Sequence, residues 1–398
     1  KPCPNRPRSL RPSASMLGAF ALATALLVPA PLSKSSSPHT HLSSRRSVLG
    51  GAAAASGAAA ALALLPTSPA FAASSGVYKP AAGSLEGTTI FITGANTGLG
   101  LESAKRLAAA GGSVVVSART QAKAEQAAKE VGGKTIGIEL DLADLRSVKS
   151  LPARLEAALG GTPTIDVLMN NAGVMAVPER VSTTDGFEKT VGINHLGHYA
   201  LVAALMPSLL RAKAGCRVIN VSSDAHRFAD QKALEDALAT KLDPPSYAFG
   251  GWGAYGVSKA ANVLFTVELQ RRFEEAGVRG SAVTLHPGVV QTDLARYITG
   301  GIGAADAHPT DVPPPTGVGA FLKENVLDKA LLTVDRGANT QVYLAVAADT
   351  GGDRTKRGGL FFDDMKAVKP TEAAQDPALA RSLWDLSEKL TGAKIVIQ

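Results

Sequence analysis

Cysteine is nearly missing from this 398-residue chain, which holds only Cys3 and Cys216. Cys3 falls in an N-terminal leader, so the mature protein has too few thiols for an internal disulfide or a cysteine metal site. Cys216 opens an apolar run and reads as a small buried hydrophobe. Aromatic residues are scarce at 5%, and no basic stretch is interleaved with them. That argues against nucleic acid as a partner. Acidic residues are absent from positions 1–72, which carry seven of the 41 Lys and Arg. Residues 73–398 therefore balance at 34 basic against 34 acidic, and the formal charge of +7 belongs to the leader.

Positions 1–72 read as targeting sequence rather than fold. A short apolar run from Met16 to Val28 resembles a signal core. The acid-free Ser33–Ser47 stretch resembles a plastid transit segment. Arg45-Arg46, the Ala/Gly-rich run Val48–Leu65 and Ala70-Phe71-Ala72 follow in the order of a twin-arginine export signal. Together they predict a cleaved, multipartite plastid presequence, with thylakoid association or lumenal delivery as its last step. An uncleaved apolar anchor at 48–65 is the alternative. A linker at 73–84 then leads into one domain at 85–391.

What is present in that domain is alternation. Thr88–Thr93, Ser113–Ser117, Lys134–Leu140 and Ile165–Asn170 read as buried strands separated by helical stretches. Strand–helix repetition predicts an α/β, Rossmann-type doubly wound parallel sheet of about seven strands, with helices on both faces. Further strands are expected at Cys216–Val221, Gly280–Leu285 and Gly359–Phe362. Long helices are expected at Gly186–Ala212 and after Tyr255, and an amphipathic one at Pro377–Leu390.

The first strand runs into Gly94-Ala95-Asn96-Thr97-Gly98-Leu99-Gly100 and then a helix. Glycines at that spacing let backbone N–H groups approach a pyrophosphate at a helix N-terminus. The second strand ends in Ser117-Ala118-Arg119, with a guanidinium where an NAD site carries an acid, so NADP(H) is the expected cofactor. Asp141-Leu142 closes the third strand and is read as the adenine contact, and Asn171-Ala172-Gly173 closes the fourth.

Tyr255 and Lys259 stand four apart on a helix and face one small volume. A phenol beside a cation suits proton transfer at a carbonyl. Ser222-Ser223 places hydroxyls at a strand tip facing the same crevice. Asn194 is polar among apolar neighbours and requires partners. His195 and His198 lack further ligands at metal-site spacing, so no metal is expected. His286-Pro287-Gly288-Val289-Val290-Gln291-Thr292 forms a rigid turn after the sixth strand. Residues 224–254 read as an insertion over the site, and 293–333, without periodicity, as a substrate lid.

These residues together resemble the short-chain dehydrogenase/reductase family over about 85–391. The motifs are Thr93-Gly94-x-x-x-Gly98-x-Gly100, Asp141, Asn170-Asn171-Ala172-Gly173, Asn194, Ser223, Tyr255-x-x-x-Lys259 and Pro287-Gly288. The resemblance implies an NADP(H)-dependent oxidoreductase with Tyr255 as general acid/base and Lys259 lowering its pKa. It also implies that Ser223 (with Ser222 as fallback) binds the carbonyl oxygen, that Asn194 positions a water, and that Thr292 contacts the nicotinamide amide. Cofactor contacts are implied from Gly94, Asn96, Thr97, Gly98, Leu99, Gly100, Arg119, Asp141, Leu142, Asn171, Ala172, Gly173, Tyr255, Lys259, Pro287, Gly288, Val290 and Thr292.

Two branches are similar in detail. Asn194-His195-Leu196-Gly197-His198 and Leu383-Trp384-Asp385-Leu386-Ser387 resemble retinol-dehydrogenase-like reductases, among them a plant dehydrogenase at the plastid inner-envelope import machinery. Light-dependent protochlorophyllide oxidoreductase shares the first of these and the Gly-Leu-Gly-Leu turn, but departs at Gly173 and Val289. The implied partners are a small apolar carbonyl or alcohol substrate, a membrane surface bound peripherally, and a second copy meeting through helices 186–213 and 255–276. An NADP(H)-sensing binding module is the reading from another functional class.

Overall fold

The computed structural model describes residues 76–177, 179–243, 251–290 and 332–398. Its architecture follows from period-two alternation in buried strands. In β1 (Thr89–Ile92), Ile90 and Ile92 face one side of the sheet and Phe91 the other, all fully buried. In β2 (Ser113–Ala118), Val114 and Val116 join the first side and Val115 the second. Strands that are apolar on both faces need cover on both. The helices α1 (Gly98–Ala109), α2 (Gln121–Val131) and α9 (Asn339–Ala345) cover one side. Helices α3 (Leu145–Leu159), α5 (Gly197–Leu210), α7 (Trp252–Glu275) and α10 (Pro377–Thr391) cover the other.

The sheet is completed by β3 (Thr135–Glu139), β4 (Val167–Asn170), β5 (Cys216–Val221), β6 (Gly280–His286), β7 (Phe361–Asp363) and β8 (Lys366–Val368). The order is β3-β2-β1-β4-β5-β6-β7-β8, parallel up to β7 and antiparallel at β8. The chain works outward from β1 to β3, then returns to pair β4 with β1. That reversal opens a crevice beyond the carboxyl ends of β1 and β4, where open α/β sheets bind ligands.

Three expectations change. The described sheet has eight strands where about seven were expected. β8 is exposed at all three residues, so it carries no apolar alternation to read. It is reached through Asp364 and Met365, which both take positive φ (43° and 63°) in a two-residue reversal. The long helix expected from Gly186 starts at Lys189 as α4 (Lys189–Val191), runs through a π-helical turn at Gly192–Leu196, and continues as α5. Tyr255 lies inside the first turn of α7, which starts at Trp252 within the expected 224–254 insertion. The rest of that insertion holds a 3₁₀ turn at Asp224–Phe228 and α6 (Gln231–Ala239).

Candidate active site

The loop between β1 and α1 is shaped by what cannot be added to it. Gly94 and Gly98 take φ of +61° and +55°, the left-handed region that side chains disfavour. A Cβ at Gly94 would stand 2.9 Å from the Cβ of Ala172. One at Gly100 would stand 2.6 Å from Asn171 Nδ2 and 2.6 Å from the Gly94 carbonyl. No acidic residue occupies the first turn of α1.

Thr93 ties the loop to β4: its hydroxyl accepts from the backbone N–H groups of Asn171 and Ala172, each at 2.9 Å. Asn171 returns the tie, donating from Nδ2 to the carbonyls of Thr93 (2.8 Å) and Gly94 (3.2 Å). The Pro287–Val290 turn reaches the same place: Gly337, the last residue of α8 (Val334–Gly337), lies in a gap between Val290 and Leu99 too narrow for a Cβ.

Across the crevice, α7 presents Tyr255 and Lys259, both 3% exposed. The Lys259 ammonium donates to the Val221 carbonyl at 3.0 Å and lies 5.6 Å from the Tyr255 ring centre. Burial pushes Lys259 down to about 8. It pushes Tyr255 up to about 12, against a smaller downward pull from a hydrogen bond with the Ser223 hydroxyl. Lys259 was expected to lower the Tyr255 pKa; the resolved causes here are burial, which raises it, and the Ser223 hydrogen bond, which lowers it less. Of the two strand-tip serines, Ser223 faces Tyr255. Ser222 is buried and donates to the Lys259 carbonyl at 2.7 Å, which fixes the helix rather than a ligand.

Asn194 sits in the π turn, fully buried. Its Oδ1 accepts from Val174 N–H (2.8 Å), and its Nδ2 donates to the Val174 carbonyl (2.9 Å) and Ser258 Oγ (3.0 Å). Both its side-chain N–H groups are thus engaged by protein. Gly173 passes between Asn194 and Lys259: a Cβ on it would stand 3.2 Å from Asn194 Oδ1 and 3.7 Å from Lys259 Nζ. Arg119 is exposed just past the end of β2. Asp141 turns its Oδ1 to Ala143 N–H at 2.9 Å. The Leu142 carbonyl packs on Gly197, where a Cβ would meet it at 2.5 Å. Asn96 and Thr97 are half-buried in the loop. Thr292, residues 293–331 of the expected lid, 244–250 of the insertion and the 1–72 leader lie outside the described residues.

Comparison with known proteins bears on this geometry. A family model described as short chain dehydrogenase matches residues 88–232. Human "Retinol dehydrogenase 13" is 36% identical over 318 residues, covering 79% of this chain and 87% of the relative. The chain belongs to the short-chain dehydrogenase family. The zebrafish (Danio rerio) "WW domain-containing oxidoreductase" is 36% identical, covering 77% of this chain and 69% of its own. A solved structure of an uncharacterised Mycobacterium Paratuberculosis protein superimposes with a TM-score of 0.57 at 34% identity. It covers 78% of this chain and 96% of that one.

As a short-chain dehydrogenase the protein is an oxidoreductase that binds a nicotinamide cofactor. The cradle at Gly94–Gly100, with no room for a Cβ at Gly94 or Gly100 and opening on the α1 N-terminus, fits a dinucleotide pyrophosphate. The parts that several residues play in shaping the site went unread in the sequence. Gln341 of α9, fully buried, donates to the Leu99 carbonyl (3.1 Å) and Ser103 Oγ (2.6 Å), bracing α1. His198 bridges the two walls: its Nδ1 donates to the Asn194 carbonyl (3.1 Å), so its Nε2 accepts from the Thr93 hydroxyl (2.9 Å). His226 and His286 flank Ser223. A lone buried amide such as Gln341 leaves no pattern. His286, polar at a strand tip, carries the signal that singled out Ser223.

Proposed function

We propose that the protein reduces the carbonyl group of an apolar substrate with NADPH. Tyr255 is the proton donor, and the observation that carries the reading is its burial beside Ser223 and Lys259 at one strand-tip crevice. A bound nicotinamide supplies the hydride. Ser223 holds the substrate oxygen, and Tyr255, neutral at physiological pH, gives that oxygen its proton. Lys259 places a positive charge beneath the ring. Asn194 keeps the segment after Gly173 against α7. A donor kept protonated by burial suits reduction better than oxidation, which would need a base at the same place.

The similar retinol dehydrogenases support retinal and other long aldehydes as the substrate class. An aromatic series from Phe228 through Trp252 to Tyr255, edge to face at 6.2 and 5.9 Å, offers an apolar approach to the donor. Arg119 supports NADPH over NADH. The acid-free leader supports delivery to a plastid, with peripheral membrane contact there. A homodimer through α5 and α7 would have to displace α10, whose Trp384 packs on Tyr199 and Phe265.

The test is a panel of retinal, nonanal and protochlorophyllide with NADPH and NADH, in light and in darkness. Dark, NADPH-dependent aldehyde turnover that loses its NADPH preference in Arg119→Ala is expected. Pigment reduction only under illumination would replace this reading, and intact NADPH binding without any turnover would favour a sensing module.

A further inference from the structure

Ser223 owes its orientation to the peptide that follows it, and both polar ends of that peptide are held by histidines. The Ser223 carbonyl accepts from His226 twice, from its backbone N–H at 3.0 Å and its Nδ1 at 2.8 Å. A carbonyl only accepts, so Nδ1 carries the hydrogen. His226 Nε2 is then bare, and it accepts from Thr371 N–H at 3.3 Å. At the other end, the Asp224 N–H donates to His286 Nδ1 at 3.1 Å, so in this ring Nδ1 is bare and Nε2 carries the hydrogen. Two rings in opposite tautomers thus hold one peptide plane.

They reach it from different elements. His226 belongs to the 3₁₀ turn, fully buried, with its ring 5.0 Å from that of Phe361. His286 ends β6. On the same residue the Ser223 hydroxyl accepts from Ala225 N–H at 3.2 Å and meets Tyr255.

We propose that His226 and His286 are positioning residues that aim the Ser223 hydroxyl at Tyr255 by clamping the Ser223–Asp224 peptide. The proposal rests on the reading of Ser223 as the hydroxyl that holds the substrate oxygen. Neither ring can take a second proton without setting N–H against N–H, at Thr371 for His226 and at Asp224 for His286. Burial lowers the pKa of both, that of His286 to about 4. Asp224, His226, Arg227 and Lys259 face His286, and Asp224 and Arg227 face His226. Asp224 is itself paired with Arg227 at 2.5 Å. The groups able to pull a proton onto either ring are therefore opposed by cations beside them.

The experiment is a double-mutant cycle on the full chain, with NADPH and retinal. Ser223→Ala alone is expected to lower kcat about 10²-fold. His286→Ala and His226→Ala are each expected to lower kcat about 10-fold or more, with NADPH affinity unchanged. In the Ser223→Ala background both should cost less than about two-fold, because the group they aim is gone. Asparagine places an amide atom near the Nδ1 position, so His286→Asn and His226→Asn should keep kcat within about three-fold. Losses that multiply across the cycle, or alanine variants that fold and keep kcat within about two-fold, would overturn the clamp. Should an alanine variant not fold, its asparagine counterpart decides: it must retain kcat, and a loss as large as that of Ser223→Ala rejects the proposal. Failure of the underlying reading would look different, because Ser223→Ala itself would then leave turnover intact.

Discussion

Between β1 and α1 the crevice is held by what residues lack. Gly94 and Gly100 leave no space in which a methyl group would fit, and the loop closes on backbone atoms and the Asn171 amide. Between β5 and α7 it is held by what side chains carry. Ser222, Ser258, His226 and His286 each bond a backbone group at or beside Ser223, Tyr255 or Lys259, and Asn194 bonds both backbone groups of Val174. The first kind of wall tolerates deletion and fails on addition; the second tolerates a like-for-like replacement and fails on truncation. His198 joins them, with Thr93 on one ring nitrogen and the Asn194 carbonyl on the other.

That contrast can be broken most sharply at the phenol. Tyr255→Phe should lower kcat about 10³-fold, while dinucleotide affinity, if carried mainly by the glycine wall, stays within about two-fold; stopped-flow turnover and a fluorescence titration measure the two. Turnover that survives would show that the polar wall does not supply the proton.

Acid should damage the polar wall next. His198 and His286 are held near 4, against an ordinary value near 6.5, and burial is the main cause of both. A histidine whose folded pKa is depressed stabilises the fold fully above 6.5. Its contribution declines as pH falls from there toward 4. The expected slope is about 1.4 kcal/mol per pH unit for each histidine, read from denaturant midpoints between pH 7 and 4. A flat profile would mean these rings gain a proton without loss.

Gly100→Ala attacks the wall built on absence. Its methyl group must push Asn171 or the Gly94 carbonyl aside, at about 1–3 kcal/mol. Dinucleotide affinity should fall with it, while kcat at saturating cofactor holds. Calorimetric melting and the same fluorescence titration check this, and unchanged binding would show that the loop gives way freely. The mildest change is Ser222→Ala, which removes one buried hydrogen bond to the Lys259 carbonyl and should cost about 1 kcal/mol. Its kcat should change less than that of Ser223→Ala, which separates the bracing serine from the one that faces Tyr255.

The sheet and the glycine wall were legible because each is written in local pattern. Alternation marked β1 and β2, and Gly94, Gly98 and Gly100 stood at a strand–helix junction. Tyr255, Lys259 and Ser223 were legible as spacing and strand-tip position. The side-chain bracing was not. His226 and Ser223 are three apart but belong to a turn without periodicity, and His286 and Gln341 come from elements far along the chain. Their partners are set by the tertiary fold, and a single buried histidine or amide has no period to betray it. β8 escaped for the opposite reason: exposed on every residue, it has no apolar face to alternate. At Tyr255 the charge of Lys259 is visible in sequence, whereas the depth of burial that raises the phenol's pKa is not.

The π turn at Gly192–Leu196 carries one more consequence. Its closing bond runs from the Gly197 N–H to the Gly192 carbonyl, five residues back, so the segment holds one residue more than a regular helix would use. In terms of phase, α4 and α5 are wound slightly out of step. α4 is keyed to the Glu188 carboxylate, which takes the Thr190 and Val191 N–H groups, and α5 is keyed to the apolar core. Deleting a single residue here would close the turn into a regular helix and move the side chains inside it around the axis by up to about 100°. Asn194 stands inside that turn, so a deletion that a plain surface helix sheds by fraying would, in this helix, turn the amide away from Val174 and Ser258.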